Sequence, residues 1–303
     1  MTRQFLSIGE CMIEMAPRAD GSYSMGFAGD TFNTAWYARR VAGPDLEIGY
    51  LSAVGDDGPS QEMTTFMREA GVRPELAVRP GRAVGLYMIS LIEGERSFSY
   101  WRSTSAATTL ADDLDRLPGL GAGDMAFFSG ITLAILPESG REKLLAALAK
   151  ARAEGVTVAF DPNLRPRLWS GTEDMCRWIM RGAEVADIAL PSYEDEGAHF
   201  GDADKAATGA RYLSAGAQLV IVKDGPLPVL LVTPEAENLV ETVPAEQVVD
   251  TTAAGDSFNA RFLVGVLSGE TATVAAAQAC GLSRQVIGAH GALVESASAP
   301  ITG

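Results

Sequence analysis

Apolar runs of strand length alternate with helical periodicity along most of the chain. Residues 5–8 predict a strand and 31–41 a helix; residues 49–54 predict a strand and 60–70 a helix. The rhythm resumes with a strand over 125–129 and a helix over 137–153, then a strand over 156–160 and a helix over 173–182. Residues 186–190 and 218–222 read as further strands, 228–232 and 239–243 as a hairpin, and 255–268 and 272–288 as two closing helices. This order predicts an α/β fold with a mainly parallel central sheet covered by helices on both faces.

One region departs from the rhythm. Residues 84–92 and 97–101 read as strands around the turn Glu93-Gly-Glu-Arg96, with no helix between them. Residues 11–15 and 22–25 are candidates to pair with them. The chain is thus expected to form a single domain over 1–303, with a small lid sheet inserted from about 11–26 and 84–104.

Composition narrows the classes. With 303 residues, 47% hydrophobic and 21% charged, the chain suits a soluble globular enzyme. No run reaches about 18 apolar residues, so no membrane partner is expected. The N-terminal Met1-Thr-Arg-Gln-Phe-Leu-Ser-Ile enters a strand pattern rather than a signal peptide. Cys11, Cys176 and Cys280 are too scattered for a disulfide framework or a zinc site, and a reducing, cytoplasmic location is expected. The net charge of −15 argues against nucleic acid as a partner. It also means that an anionic ligand must be held by local arginines, helix ends and a divalent cation.

Four segments carry candidate chemistry. Asp250-Thr-Thr-Ala-Ala-Gly-Asp256-Ser-Phe follows a strand-like approach, Glu246-Gln-Val-Val, and opens a helix. Small residues at 253–255 let backbone approach a ligand, and the helix start offers N–H donors and a favourable dipole for an anion. Asp256, in the first turn, is placed to take a proton from a substrate hydroxyl, the pairing that phosphoryl transfer needs. In Phe27-Ala-Gly-Asp-Thr-Phe-Asn-Thr-Ala-Trp36, Asp30 or Thr31 can cap the next helix, while Asp30 and Asn33 can also receive sugar hydroxyls. In Tyr100-Trp101-Arg102, Tyr100 and Arg102 share a strand face and Trp101 points away. Arg102 beside Tyr87 and Tyr100 can clasp a carboxylate, or the segment is an aromatic pair with an exposed arginine. Phe160-Asp-Pro-Asn-Leu-Arg-Pro-Arg-Leu-Trp169 follows a strand, where ligands bind in such sheets, and brings Arg165 and Arg167.

Other signals fail. Gly119-Leu-Gly-Ala-Gly123 precedes a strand, the wrong order for a dinucleotide fingerprint, and no Walker-type Gly-Lys-Ser/Thr occurs. Gly255-Asp-Ser257 suggests a hydrolase nucleophile, but His199 and His290 fit no triad pattern.

With Phe27-Ala-Gly-Asp-Thr-Phe-Asn-Thr-Ala like the family's first signature and Asp250-Thr-Thr-Ala-Ala-Gly-Asp-Ser-Phe like its second, the chain resembles the ribokinase-like, or phosphofructokinase-B-type, carbohydrate kinases over nearly its full length. Leu86-Tyr87, Tyr100-Trp-Arg102 and Asp161-Pro-Asn-Leu-Arg-Pro-Arg-Leu-Trp169 look like those of the 2-keto-3-deoxygluconate kinases within it. The resemblance implies the ribokinase-like three-layer fold, ATP and Mg²⁺, and transfer of the γ-phosphoryl to the terminal hydroxyl of 2-keto-3-deoxygluconate. It implies that Gly29, Asp30 and Asn33 hold sugar hydroxyls, and that Tyr87, Tyr100, Arg102 and Arg165 surround the acid end. Asp256 becomes the base, with backbone N–H groups of Ala253, Ala254, Gly255 and Asp256 as the anion hole. Lys223 and Gly225 border the adenosine pocket, and Gly288 and Ala292 lie near the nucleotide.

Two departures stand out. Ala253 replaces the usual Gly, which suits the loop only with negative φ. The family's Asn-x-x-Glu appears as Ser192-Tyr-Glu-Asp195, so Ser192 takes the nucleotide role and Asp195 the magnesium role. Some members hold a monovalent cation near positions equivalent to Asp250 and Thr252, which the sequence does not assign here. A kinase for a neutral ketose such as fructose or tagatose, a silent sugar-acid sensor, and a hydrolase using Ser257 remain as alternatives. A lid with an apolar outer face further predicts a homodimer through residues 84–101.

Overall fold

The computed structural model describes residues 2–18, 20–92 and 95–298. Positions 93 and 94 of the expected lid turn lie outside them. In chain order, the first part holds β1 (Arg3–Ile8), β2 (Met12–Pro17), β3 (Tyr23–Ala28), α1 (Asp30–Val41), β4 (Leu46–Val54), α2 (Gly58–Glu69) and β5 (Arg73–Val78). Then follow β6 (Gly85–Ile92), β7 (Glu95–Trp101), β8 (Met125–Ser129), α3 (Gly130–Ile135), α4 (Glu138–Ala153), β9 (Thr157–Asp161) and α5 (Thr172–Glu184). The last part holds β10 (Ile188–Ala189), α6 (Tyr193–Phe200), α7 (Lys205–Ser214), β11 (Leu219–Asp224), β12 (Leu227–Val232), β13 (Glu237–Val240), α8 (Ala254–Leu267) and α9 (Ala272–Ile287).

The large sheet has the order β13-β12-β11-β10-β9-β8-β1-β4-β5. From β11 to β5 every pairing is parallel, while β12 and β13 add an antiparallel edge. Strands such as Met125-Ala-Phe-Phe-Ser129 are buried at every position because helices cover both faces. Along β1, Phe5 packs with Phe32, Phe262 and Leu282 on one side; Leu6 and Ile8 pack with Leu144, Trp178 and Ile179 on the other. Helices α1, α2, α8 and α9 thus form one outer layer and α3, α4, α5 and α7 the other.

The second sheet, β3-β2-β6-β7, is the expected lid. Its registers pair Tyr87 with Tyr100 and Leu86 with Trp101, so Tyr100 and Trp101 take opposite faces as the alternation predicts.

Several expectations need correction. The approach Glu246-Gln-Val-Val forms no strand; it is loop, tied by Val249 N–H to Ile287 O at 2.8 Å. The strand expected over 186–190 shrinks to two residues, because β10 is a short link between β9 and β11. The structure adds β5, α3, α6 and α7, which the pattern did not predict. The edge strand β5 carries Arg73, Pro74 and Glu75, residues suited to a sheet margin. Helix α7 buries Thr208 and Gly209 rather than an apolar stripe, and a Cβ on Gly209 would come within 2.6 Å of Val232.

Candidate active site

The carboxyl ends of β1, β8, β9 and β11 and the N-termini of α1, α3, α6 and α8 converge on one cleft of about 860 Å³, closed on one side by the lid. Gly29, Asp30, Asn33, Tyr87, Tyr100, Arg102, Arg165, Ser192, Asp195, Lys223, Gly225, Ala253, Ala254, Gly255 and Asp256 all line it. Gly288 and Ala292 stand back from its wall, where Ile287 lies instead. Gly288 is the C-cap of α9, and the Ala292 carbonyl accepts from the Tyr37 hydroxyl at 2.9 Å. Arg167 is exposed and away from the cleft, so only Arg165 of the two loop arginines reaches it.

Asp256 sits in the first turn of α8. Its Oδ2 accepts from Asn33 Nδ2 at 2.8 Å, joining the two signature segments. Burial pushes its carboxyl up to about 8; Asp30 and Asp161 raise it further, and the Asn33 amide and Arg165 oppose them. A carboxylate tuned near neutrality and facing a cleft suits a general base. Ser257 faces the other way: it is fully buried, and its Oγ donates to Ala254 O at 3.0 Å, which removes the hydrolase alternative's nucleophile.

The turn before α8 differs from expectation. Ala253, the N-cap, adopts φ 60° and ψ 14°, the left-handed region, where negative φ was expected. The loop needs that bend whether or not glycine supplies it. Ala254 N–H donates to Thr251 O at 3.2 Å, so of the expected anion-hole donors that one is already engaged within the turn.

Asp30 does not cap α1, and neither does Thr31. Gly29 occupies the N-cap with no side-chain cap, and a Cβ there would sit 2.1 Å from Glu10 O. The Asp30 carboxylate instead accepts from Asn163 Nδ2 at 2.9 Å. Burial raises its pKa, against hydrogen bonds from Ser129, Thr31 and Asn163. The loop that supplies Asn163 is strained: Asn163 has φ 35° and Arg165 φ 45°. It passes so close to Gly130 that a Cβ there would lie 1.8 Å from Pro162 O.

Lys223 is held at the end of β11. Its Nζ donates to Asp161 Oδ2 at 3.2 Å and Asn259 Oδ1 at 3.1 Å, and Asn259 Nδ2 donates to the same Asp161 oxygen at 2.6 Å. The ammonium therefore points across the start of α8, close to Gly255. Arg102 is not the exposed arginine of the bland alternative: it is ion-paired with buried Glu10. Tyr87 hydrogen-bonds Glu14 of the lid and lies 5.8 Å from the Tyr100 ring. Glu10, Asp161, Asn163 and Asn259 were not singled out from sequence. Each is a polar residue at a strand end or on a buried helix face, and only the fold shows what it meets.

The cleft carries Arg102, Arg165, Lys223 and Arg284 against Glu10, Asp30, Asp161, Glu194, Asp195 and Asp256. Carboxylates outnumber cations, so a polyphosphate entering it needs a metal ion to offset its charge. Among the described residues no cluster of three acidic, histidine or cysteine groups could hold a metal alone. Asp195 lies 4.0 Å from Arg165 and stays partly exposed, which fits a metal bound chiefly through the ligand's own oxygens.

Residues 2–298 match the pfkB family of carbohydrate kinases. The chain is 38% identical over 310 residues to the 2-dehydro-3-deoxygluconokinase of Escherichia coli K12, covering 99% of this chain and 100% of the relative. It is 37% identical over 309 residues to the enzyme of that name from Dickeya dadantii 3937, covering 99% of each. Among solved structures, aminoimidazole riboside kinase from Salmonella enterica, complexed with aminoimidazole riboside and an ATP analog, superposes with a TM-score of 0.83 at 23% identity, covering 95% of this chain and 94% of that one. That likeness supports the ribokinase-like fold expected from sequence.

Proposed function

Since the chain belongs to the pfkB family of carbohydrate kinases, we propose that it is a 2-keto-3-deoxygluconate (2-dehydro-3-deoxygluconate) kinase that moves the γ-phosphoryl of ATP to the terminal hydroxyl, giving the 6-phosphate. One observation carries the reading: a raised carboxylate, Asp256, stands at a helix start in the same cleft as Arg102 and Arg165. A base beside N–H donors suits phosphoryl transfer, and guanidinium groups suit an acidic sugar. The full-length relatives named above support the same substrate.

In this reading Asp256 takes the proton of the attacking hydroxyl as the oxygen–phosphorus bond forms and ADP leaves. Asn33 fixes the carboxylate, and Gly255 and Asp256 N–H groups receive charge building on the transferred phosphoryl. Gly29, Asp30 and Asn33 receive sugar hydroxyls, while Tyr87, Tyr100, Arg102 and Arg165 flank the carboxylate end. Lys223, Gly225 and Ser192 serve the nucleotide. Asp195 would help hold a magnesium ion, which would neutralise charge on the phosphates when bound. The lid's outer face, where Met25 and Trp101 are 51% and 58% exposed, supports a homodimer through this sheet. Among the described residues no helix is long and apolar enough to cross a membrane.

ATP consumption over a panel of ketoses, aldonates and keto-deoxy acids tests the function. Highest kcat/KM on 2-keto-3-deoxygluconate is the expected result; a preference for fructose or tagatose, or no turnover at all, refutes it. Arg102→Ala should cost the acid about 1.5–3 kcal/mol, roughly ten- to a hundredfold in KM, and a neutral ketose little.

A further inference from the structure

A buried ion pair lies at the acid end of the cleft. Glu10, just past β1, is 2% exposed, and the Arg102 side chain is 11% exposed. The Glu10 carboxylate pairs with Arg102 and accepts a hydrogen bond from buried Ser105. Gly85 of β6 leaves room for the pair: a Cβ there would lie 2.7 Å from Glu10 Oε1 and 3.3 Å from Arg102 Cβ. The pair is not fully satisfied. Glu10 Oε2 meets the Arg102 Nη2 group, and among the described residues Arg102 Nε–H finds no acceptor. Withdrawing two charges from water is costly, and a well-packed apolar pair is often at least as stable, so stability alone does not account for this one. Both residues face the cleft.

Resting on the sugar-acid reading above, we propose that Glu10 is a positioning residue that sets the enzyme's selectivity for an acid. It tethers Arg102 in one orientation and offsets part of its charge, so a substrate carboxylate meets a fixed guanidinium with incomplete neutralisation. The two effects are separable. Glu10→Gln keeps an oxygen to accept from Arg102 but removes the competing negative charge, so the acid should bind more tightly. Glu10→Ala removes the tether and lets Arg102 leave, so the acid should bind more weakly.

The experiment measures KM and kcat for 2-keto-3-deoxygluconate and for ATP in wild type and both variants, each also combined with Arg102→Ala. Relative to wild type, we expect KM for the acid to fall about threefold or more in Glu10→Gln and to rise roughly tenfold in Glu10→Ala, with kcat moving less than KM and KM for ATP unchanged. Both effects should vanish when Arg102 is absent, as coupling between the two side chains requires. Variants that move KM in the same direction, or effects that persist without Arg102, overturn the proposal. Should Glu10→Ala fail to fold, Glu10→Gln decides alone, and a KM that does not fall overturns it. A wild type active only on neutral ketoses would instead overturn the sugar-acid reading, a result distinct from an acid-active wild type whose variants show no coupling.

Discussion

Asn33 Nδ2 donates to Asp256 Oδ2 at 2.8 Å, so a side chain on α1 fixes the proposed base at the start of α8. If Asp256 is that base, Asp256→Asn should lower turnover at least about a hundredfold while substrate binding stays nearly intact. Stopped-time phosphorylation assays with a binding measurement decide this, and wild-type turnover in the variant would refute the role.

The same contact predicts a pH profile. A base works only when deprotonated, and burial has pushed Asp256 up to about 8, so kcat/KM should climb as pH rises toward that value. The Asn33 amide opposes this rise in pKa by stabilising the carboxylate. Asn33→Ala should therefore shift the acid limb to higher pH. A shift to lower pH, or none, would break the link between the two residues.

Ala253 stores strain that glycine would release. A left-handed alanine costs about 1–2 kcal/mol, partly regained through its lower entropy in the unfolded chain. Ala253→Gly should stabilise the fold by up to about 1 kcal/mol, read by chemical denaturation. A clearly destabilised variant would contradict the positive φ at this turn.

Arg211 supports α6 from behind. It pairs with Glu196, which is fully buried, and with Asp202, while the Tyr212 hydroxyl donates to Glu196 at 2.9 Å. Burial pushes the Glu196 carboxyl up to about 7 even with this company. Removing the guanidinium strands a buried acid, so Arg211→Ala should cost about 3–5 kcal/mol of stability by denaturant titration. A loss below about 1 kcal/mol would show the network to be solvated.

Light scattering tests the dimer. We expect twice the mass of the 31.9 kDa chain, falling to one chain when Met25 and Trp101 are both changed to charged residues. A monomeric wild type would remove the proposed lid interface.

The parallel core was legible because buried strands such as β8 are uninterrupted apolar runs, and the lid because its alternation follows the pleat. Both signature segments reached the same cleft as read. Local pattern fell short where tertiary contact decides. Glu10 and Arg102 meet only because the lid folds over β1, and Asn163 reaches Asp30 only through a strained loop. The cap expected from Asp30 gave way to Gly29 because Asp30's carboxylate is taken by Asn163. Helix α7 escaped notice because its buried face holds Thr208, Gly209 and Tyr212 rather than a stripe of leucines.

Asn33 and Asp256 are 223 residues apart in the chain. During synthesis, the segment that carries the carboxylate emerges long after its partner, and the intervening strands must dock in between. In the proposed mechanism, a ribosome-bound nascent chain lacking α8 would carry Asn33 without the carboxylate it fixes. If Asp256 is the base, activity cannot appear before α8, Ala254–Leu267, has joined the fold.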